Sequence, residues 1–268
     1  MVASGPSGRR VALVTGGGSG IGRGIALALV RRGVDVAIAG RRLDLLEQVA
    51  REVSSRGGRA VPLRVNLTEE AGRAALVSRV LAEFGRLDIL VNNAGVMHRG
   101  GLLSRSPEEV SAAVATNLLA PIELTRQALP ELARRRGAVV LVASGVSHVP
   151  LPYASLYSAT KAGVAAFGEA LRYELGPLGV RLLLVYPPGT DTDMVRGMAQ
   201  AAGVSGFPLA GAEKVGERIV KSLAKGKQEV NVGLEARLMP LLYRLSPRLI
   251  RALYRSQRAL FERMMGNS

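Results

Sequence analysis

The chain has 268 residues, of which 48% are hydrophobic, and a formal net charge of +15. It has no cysteine, which excludes disulfides, thiolate catalysis and cysteine-ligated metals. Its two histidines, His98 and His148, have no partner at metal-ligand spacing, so we expect neither a metal site nor a histidine-dependent serine hydrolase. No apolar run approaches the roughly 20 residues of a membrane span, and the run after Arg10 is too short for a signal-peptide core, which predicts a cytoplasmic protein.

Short β-rich runs alternate with segments of helical periodicity as far as Val232. The predicted strands are residues 11–14, 34–39, 60–65, 87–91, 138–143, 180–186 and 229–232. The predicted helices are residues 21–32, 43–56, 68–84, 108–135, 157–178 and 212–225, and a capping box is predicted at Ser106-Pro107-Glu108-Glu109. Because such alternation produces a parallel sheet covered on both faces, we predict an α/β, doubly wound Rossmann-type fold with a seven-stranded sheet.

The predicted domain organisation is a single catalytic domain of residues 9–235, since no Ser/Pro-rich linker interrupts it. Residues 1–8 are predicted to be a flexible N-terminus, and residues 236–268 a basic amphipathic helical extension. We expect the segment 195–211, rich in Gly, Ala and Met, to form a lid over a largely apolar substrate.

A glycine-rich segment follows the first predicted strand and opens the first predicted helix, which is the context of a dinucleotide-binding loop. Glycines allow the backbone to approach a pyrophosphate, whose charge then meets the helix N-terminus. A tight strand-to-helix turn without a ligand is the alternative. The candidate cofactor residues of this segment are Thr15, Gly16, Gly18, Ser19, Gly20, Ile21 and Gly22.

Tyr157 is the one tyrosine of six that has a lysine, Lys161, four residues later. Residues at this spacing share a helix face, so the ammonium group can lie beside the phenol. A neighbouring positive charge favours phenolate, and we therefore expect the pKa of Tyr157 to be lowered. A phenol tuned in this way can exchange a proton with a carbonyl or carbinol oxygen.

Taken together, the glycine-rich loop, Asn92-Asn93-Ala94-Gly95, Asn117, Ser144, Tyr157 with Lys161, and Pro188-Gly189 resemble the short-chain dehydrogenase/reductase family. The resemblance covers residues 11–232. It implies that Tyr157 is the acid/base, that Lys161 lowers its pKa and holds the nicotinamide ribose, and that Ser144 orients the substrate oxygen. It also implies a homodimer or homotetramer.

The resemblance assigns Asn117 a further role, because family members use its backbone carbonyl to hold a water that leads from the lysine to solvent. Pro121 lies four residues later and has no N–H to give to that carbonyl. We expect Pro121 to keep such a proton relay open. A helix kink without function is the alternative.

The remaining candidate cofactor contacts also come from the resemblance. Asn66 occupies the position of the family's usual adenine-binding aspartate and could accept through its side-chain carbonyl. The full set is Asn66, Leu67, Asn93, Ala94, Gly95, Tyr157, Lys161, Pro187, Gly189, Thr190 and Thr192.

The end of the second predicted strand, Gly40-Arg41-Arg42, determines the expected cofactor. An acidic residue there would bind the ribose 2′-hydroxyl of NAD, whereas Gly40 leaves room for a 2′-phosphate. Arg41 and Arg42 can pair with that phosphate, which favours NADP(H) over NAD(H). A solvated helix start is the alternative for the two arginines, and Asp44 nearby is the residue that argues for NAD(H).

The extension 236–268 contains seven arginines and one acidic residue. The arginines at 244, 248, 251, 255 and 258 recur at helical spacing with leucines on another face, and Ser246-Pro247 predicts the start of a helix that extends to Met265. Three interpretations stay open: peripheral contact with an anionic membrane, a cover over the active site, and pairing with a second subunit. Nucleic acid is not an expected partner, because no recognised binding motif accompanies the charge.

We therefore predict an NADPH-dependent oxidoreductase that reduces a ketone to a secondary alcohol, or catalyses the reverse. The residues 186–192, Tyr-Pro-Pro-Gly-Thr-Asp-Thr, also resemble 3-ketodihydrosphingosine reductases, with Gly189 in place of their usual aspartate, which suggests a long-chain substrate such as a 3-keto sphingoid base. The alternatives are a 3-oxoacyl, steroid or polyketide ketone. An alternative of another class is a non-catalytic NADP-binding protein attached to membranes or partners.

Overall fold

The computed structural model describes residues 8–98, 100–201, 209–232 and 235–265. Seven strands form one parallel sheet in the order β3-β2-β1-β4-β5-β6-β9. A separate parallel pair, β7 and β8, lies beyond the sheet. The strands are β1 (Val11–Thr15), β2 (Asp35–Gly40), β3 (Ala60–Arg64), β4 (Ile89–Asn92), β5 (Ala138–Val142), β6 (Arg181–Tyr186), β7 (Thr190–Asp191), β8 (Ala210–Gly211) and β9 (Glu229–Asn231).

The seven predicted strands are confirmed, and their ends differ from the prediction by at most two residues. The helices are α1 (Gly20–Val30), α2 (Leu43–Ser55), α3 (Glu70–Phe84), α4 (Pro107–Val114), α5 (Ala120–Arg135), α6 (Ser155–Leu175), α7 (Asp193–Ala201), α8 (Ala212–Ala224), α9 (Glu235–Leu245), α10 (Pro247–Ser256) and α11 (Arg258–Met265). In the described part of the chain, no helix is both long and apolar enough to cross a membrane.

The predicted helix 108–135 is two α-helices joined by a π-helical segment, Ala115–Leu119. In this segment the N–H of Ala120 donates to the carbonyl of Ala115. Pro121 follows directly and has no N–H, so it cannot close the next backbone hydrogen bond. The capping box is confirmed: the Ser106 hydroxyl accepts from the Glu109 N–H at 3.2 Å, and the Ser106 N–H donates to the Glu109 carboxylate at 3.1 Å.

The C-terminal side departs from the prediction at one point. The first part of the predicted lid, residues 195–211, belongs to α7, while residues 202–208 lie outside the described ranges. Helix α9 falls in the predicted helical extension. The expected helix 247–265 is interrupted at Gln257, and the rings of Tyr254 and Phe261, on either side of this break, meet edge to face at 5.2 Å.

Both faces of the sheet are covered, which explains why its strands are almost continuously apolar. Helices α1, α2 and α8 pack on one face, and α3, α5 and α6 on the other. Helices α1 and α8 approach most closely at Gly24 and Gly216, where a Cβ added to Gly216 would lie 2.3 Å from the Gly24 carbonyl carbon. The order of strands reverses between β1 and β4, and the carboxyl ends of these strands form the crevice in which such sheets bind ligands.

Candidate active site

The glycine-rich loop between β1 and α1 has the tight geometry expected of a dinucleotide-binding loop. Gly16 and Gly20 have φ values of +66° and +52°, in a region of backbone conformation that residues other than glycine rarely adopt. A Cβ added at Gly22 would lie 2.1 Å from the Gly16 carbonyl oxygen, so this turn requires glycine there. The N-terminus of α1 therefore opens directly onto the crevice, where its backbone N–H groups favour an anion.

Thr15 joins this loop to the segment after β4. Its hydroxyl donates to the Val91 carbonyl at 3.2 Å and accepts from the N–H groups of Asn93 and Ala94, each at 3.1 Å. The Asn93 amide donates in return to the Thr15 carbonyl at 3.0 Å. These bonds fix the two loops against each other and form the floor of the site.

A cleft of about 290 Å³ connects the glycine-rich loop with Tyr157. The predicted residues that line it are Gly16, Gly18, Ser19, Gly20, Ile21, Gly40, Arg41, Arg42, Asn66, Leu67, Asn93, Ala94, Gly95, Tyr157, Lys161, Pro187 and Thr192. The predicted residues outside the lining are Thr15, Gly22, Asn117, Ser144, Gly189 and Thr190. Lining residues that the sequence did not single out include Leu46, Thr116, Val142, Asp193 and Met194.

Two expected polar contacts are engaged elsewhere. The Asn66 side-chain oxygen accepts from the N–H and the hydroxyl of Thr68, at 3.2 and 2.9 Å, so the expected acceptor for adenine is already used at the start of α3. The Thr190 hydroxyl, another predicted cofactor contact, is buried and donates to the Pro188 carbonyl at 2.8 Å. In both cases a short polar side chain bonds its own local backbone or neighbours.

Arg41 and Arg42 lie at the end of the cleft that Gly40 opens. The Arg42 guanidinium donates to the Ser19 hydroxyl at 3.1 Å and lies 3.5 Å from the Asp193 carboxylate. The side chains of Arg42 and Asp193 are 59% and 55% exposed, so the ion pair between them is weak. A cationic group is therefore available beside the glycine-rich loop, and a Cβ at Gly40 would make only ordinary contacts, the nearest at 3.6 Å to Leu46.

Tyr157 and Lys161 lie at the other end of the cleft, on α6. The Lys161 ammonium is 5.8 Å from the centroid of the Tyr157 ring and donates to the Val142 carbonyl at 2.8 Å. The Asn117 side chain is buried; its oxygen accepts from the Val96 N–H at 2.8 Å, and its nitrogen donates to the Val96 carbonyl at 2.8 Å and the Thr160 hydroxyl at 3.1 Å. The π-helical segment thus places Asn117 firmly against α6.

The expected lowering of the Tyr157 pKa is not what the protein alone produces. Burial raises the pKa of Tyr157 to about 12, and an interaction with the Ser144 hydroxyl opposes this rise. Burial also lowers the pKa of Lys161 to about 8. The i,i+4 spacing does bring the two groups onto one face, but desolvation disfavours both charged forms and outweighs their mutual stabilisation at this separation.

Sequence reasoning missed Tyr153, which lies in the loop before α6 and lines a small second cavity beside Tyr157. Its φ is +59°, unusual for a residue other than glycine. The Tyr153 hydroxyl donates to the Glu262 carboxylate at 2.6 Å, and Arg258 donates to the same oxygen at 2.6 Å. Helix α11 also packs against α7, so the C-terminal extension contacts both α7 and the loop before α6. No local signal predicts a contact between residues 109 positions apart.

The second cavity is largely apolar. Its walls include Val96, Met97, Leu102 and Leu156. Besides Tyr153, Ser155 and Tyr157, its polar residues are Arg105, whose side chain is 7% exposed, and His98, whose Nδ1 is buried. Within the described ranges, no cluster of three or more histidine, aspartate or glutamate residues could hold a metal ion.

Comparison with known proteins agrees with this geometry. A family model described as short chain dehydrogenase matches residues 10–203. A short chain dehydrogenase of Pseudocercospora fijiensis is 37% identical over 69% of the chain, and the chain spans 61% of that relative's length. The ketoacyl reductase HetN of Nostoc sp. is 31% identical over 92% of the chain and 88% of the relative. The structure of an alcohol dehydrogenase from Thermococcus sibiricus, complexed with 5-hydroxy-NADP, superposes with a TM-score of 0.74 at 27% identity, covering 84% of this chain and 96% of the other.

Proposed function

The chain belongs to the short-chain dehydrogenase/reductase family of NAD(P)-dependent oxidoreductases, and from this we propose that it reduces a ketone to a secondary alcohol with NADPH. One observation carries the proposal: a single cleft has the glycine-rich loop and two arginines at one end and Tyr157 with Lys161 at the other. The glycine turn, the helix N-terminus and the cationic end fit a phosphorylated dinucleotide.

The residues of the chain have distinct parts in the proposed reaction. The bound nicotinamide would supply the hydride that reduces the carbonyl carbon. Tyr157 and Ser144 hydrogen-bond the carbonyl oxygen, and Tyr157 transfers its phenolic proton to that oxygen as negative charge develops there. The Lys161 ammonium stabilises the phenolate that remains. A pKa of about 12 keeps Tyr157 protonated at neutral pH, as an acid requires.

Reprotonation of Tyr157 is assigned to a water relay at Asn117. The side chain of Asn117 is fully engaged, so its backbone carbonyl is the group left for a water, and Pro121 cannot donate to that carbonyl. Both the Asn117 Oδ1 and the Lys161 Nζ would lie 3.5 Å from a Cβ added at Gly95, which supports their proximity. Replacing Pro121 by Ala should slow turnover, and unchanged stability together with unchanged turnover would refute the relay.

Preference for NADPH over NADH is proposed from Gly40, Arg41 and Arg42. The two guanidinium groups border the cleft, and the weak pairing of Arg42 with Asp193 can be replaced by a phosphate at small cost. The archaeal structural relative complexed with 5-hydroxy-NADP supports the same choice. Asp44, the residue that argues for NADH, is not among the residues that line the cleft, which also supports NADPH.

The substrate class that we propose is a long-chain, lipid-like ketone such as a 3-keto sphingoid base. Its support is the apolar surface beside Tyr157, where Leu102 is 65% exposed; the cavity in this surface has a volume of about 20 Å³, so most of a long chain would lie outside it. A 3-oxoacyl ketone is the second candidate, favoured by the similarity to a ketoacyl reductase. Steroid and polyketide ketones would undergo the same reaction, and the substrate screen described next distinguishes them from the first two candidates.

The decisive experiment is to measure NADPH oxidation with ketones of increasing chain length, including 3-keto sphingoid bases and 3-oxoacyl thioesters. We expect kcat/KM to rise with chain length and to be abolished by Tyr157→Phe but retained by Tyr173→Phe, whose side chain is exposed on the same helix. Full activity of Tyr157→Phe would refute the mechanism. Activity with no ketone, despite tight NADPH binding, would favour a non-catalytic NADP-binding protein.

The cofactor assignment is tested by the double variant Arg41→Ala/Arg42→Ala. We expect its KM for NADPH to rise while its KM for NADH changes little. Arg51→Ala is a matched control, because Arg51 is an exposed arginine of α2 away from the cleft. Equal Michaelis constants for the two cofactors in the unaltered protein would refute NADPH preference.

A further inference from the structure

Helix α9 presents an apolar face to solvent. Leu238, Leu241, Leu242 and Leu245 recur at i, i+3, i+4 and i+7, which places them on one side of the helix. Their exposed fractions are 47, 53, 45 and 74%. Leu249 and Leu253 of α10 are also exposed, at 62 and 43%. We call these six side chains the leucine face; a cluster of exposed leucines on two consecutive helices is typical of an interaction site.

The leucine face does not result from helices that failed to pack. Helix α10 turns a different side to the protein, where Ile250 is 3% exposed and Tyr254 meets Phe261, itself 8% exposed. Helix α11 is held by the hydrogen bond from Tyr153 to Glu262. The extension therefore already has its inward contacts, and the leucines are additional to them.

The two helices that carry the leucine face are also strongly cationic. Arg244, Arg248, Arg251 and Arg255 are exposed on α9 and α10, and in the described residues of α9 to α11 the ion pair that forms is the one between Arg258 and Glu262. Charges of one sign on helices with an exposed apolar face favour an anionic partner. Self-association through this face would instead bring two sets of arginines together, which is unfavourable.

We propose that the leucine face rests on an anionic lipid membrane, with the leucines in the acyl boundary and the arginines near the lipid phosphates. Arginine stems can reach the headgroups while the helices lie in the plane of the interface. The matched part of the family model ends at residue 203, so this surface belongs to a segment outside it. The inference goes beyond the proposed reductase activity, because it concerns where the protein binds and not what it reduces.

The test is flotation of the full-length protein with vesicles of phosphatidylcholine alone and of phosphatidylcholine mixed with phosphatidylglycerol. We expect binding to the mixed vesicles, release by salt, and little binding to the neutral ones. The variant Leu241→Ser/Leu245→Ser/Leu249→Ser should lose binding. For a matched pair, Leu242→Ser should weaken binding while Leu178→Ser should not. These side chains are 45 and 42% exposed, but Leu242 belongs to the leucine face whereas Leu178 lies in the turn after α6.

The charge contribution is tested separately. The triple variant Arg248→Gln/Arg251→Gln/Arg255→Gln should bind the mixed vesicles roughly 100-fold more weakly at low salt. Each basic residue near an anionic membrane surface adds a similar amount to the free energy of binding. The control removes the same charge from exposed arginines elsewhere, as Arg10→Gln/Arg51→Gln/Arg218→Gln, and should lose much less. Circular dichroism and NADPH fluorescence confirm that each variant is folded.

Three outcomes would overturn the proposal. The unaltered protein could fail to bind the mixed vesicles, or the leucine variants could bind as well as the unaltered protein. Light scattering could also show that the leucine substitutions dissociate an oligomer without affecting vesicle binding, which would make the face a subunit interface. Since none of these measurements depends on turnover, failure of this proposal and failure of the proposed reductase activity are distinguishable.

Discussion

Ketone reduction should slow as the pH rises above about 8, because Lys161 loses its proton there. Lys161 is 4% exposed, and in the proposed mechanism its ammonium stabilises the phenolate that Tyr157 becomes, so only the protonated lysine supports the reaction. One pH unit above its pKa about a tenth of Lys161 is protonated, and kcat/KM should fall about tenfold per unit. Tyr157 does not limit this range, since burial raises its pKa to about 12.

The same lysine destabilises the folded protein at neutral pH. Its pKa is about 8 in the folded protein and 10.5 when exposed, so between these values the unfolded chain binds more protons and stability rises with pH. The shift corresponds to roughly 3 kcal/mol at neutral pH, as an upper limit. Lys161→Met removes this cost while keeping a side chain of similar length.

The assay is urea unfolding of the unaltered protein and of Lys161→Met at a series of pH values from 6 to about 10.5, the pKa of an exposed lysine, alongside pH profiles of kcat/KM. The difference in unfolding free energy between the two proteins should favour Lys161→Met at pH 7 and shrink as Lys161 deprotonates. Lys161→Met should lack reductase activity although it is folded. A difference independent of pH, or a pH–rate profile that stays flat to about 10.5, would show that the buried ammonium does not behave as described.

Three further predictions concern other parts of the molecule. Gly40→Asp should fit without a clash, since an added Cβ lies 3.6 Å from its nearest neighbour, and should shift the ratio of KM values toward NADH by about tenfold or more. Gly216→Ala would place a methyl group 2.3 Å from the backbone of α1 and should cost about 1–3 kcal/mol in urea unfolding, whereas Gly197→Ala, which meets nothing within 4 Å, should not. Glu262→Gln should raise KM for the ketone with little effect on KM for NADPH; equal effects on both would show a general structural role.

The sheet could be predicted because its signals are local. Each strand is a short β-rich run between helical segments, and the turn chemistry at Gly16, Gly20 and Gly22 specifies a loop at the end of β1. The cleft residues follow, because the carboxyl ends of parallel strands meet at one edge. The interruption at Gln257 could not be predicted in the same way, because the helical periodicity continues through it and the contact of Tyr254 with Phe261 depends on the folded structure.

Electrostatics and distant contacts were the parts that the sequence did not reveal. The spacing of Tyr157 and Lys161 correctly indicates a shared face, but the direction of their pKa shifts depends on burial by residues far along the chain. The Asn66 side chain can bond either a local partner or a ligand, and the sequence does not tell which. In the structure it bonds Thr68.

The C-terminal extension connects the two ends of the cleft through α7. Asp193, at the start of α7, lies 3.5 Å from Arg42 at the proposed phosphate end. Helix α11 packs against α7 and, through Glu262, holds Tyr153 beside Tyr157. Because the ion pair of Arg42 is exposed and weak while the packing of α10 and α11 is buried at Ile250 and Phe261, a phosphate of the proposed cofactor can displace Asp193 from Arg42 without disturbing the contacts of Tyr153. In the proposed enzyme the extension would therefore act on the Tyr157 end of the site, and the Rossmann-type core would bind the cofactor.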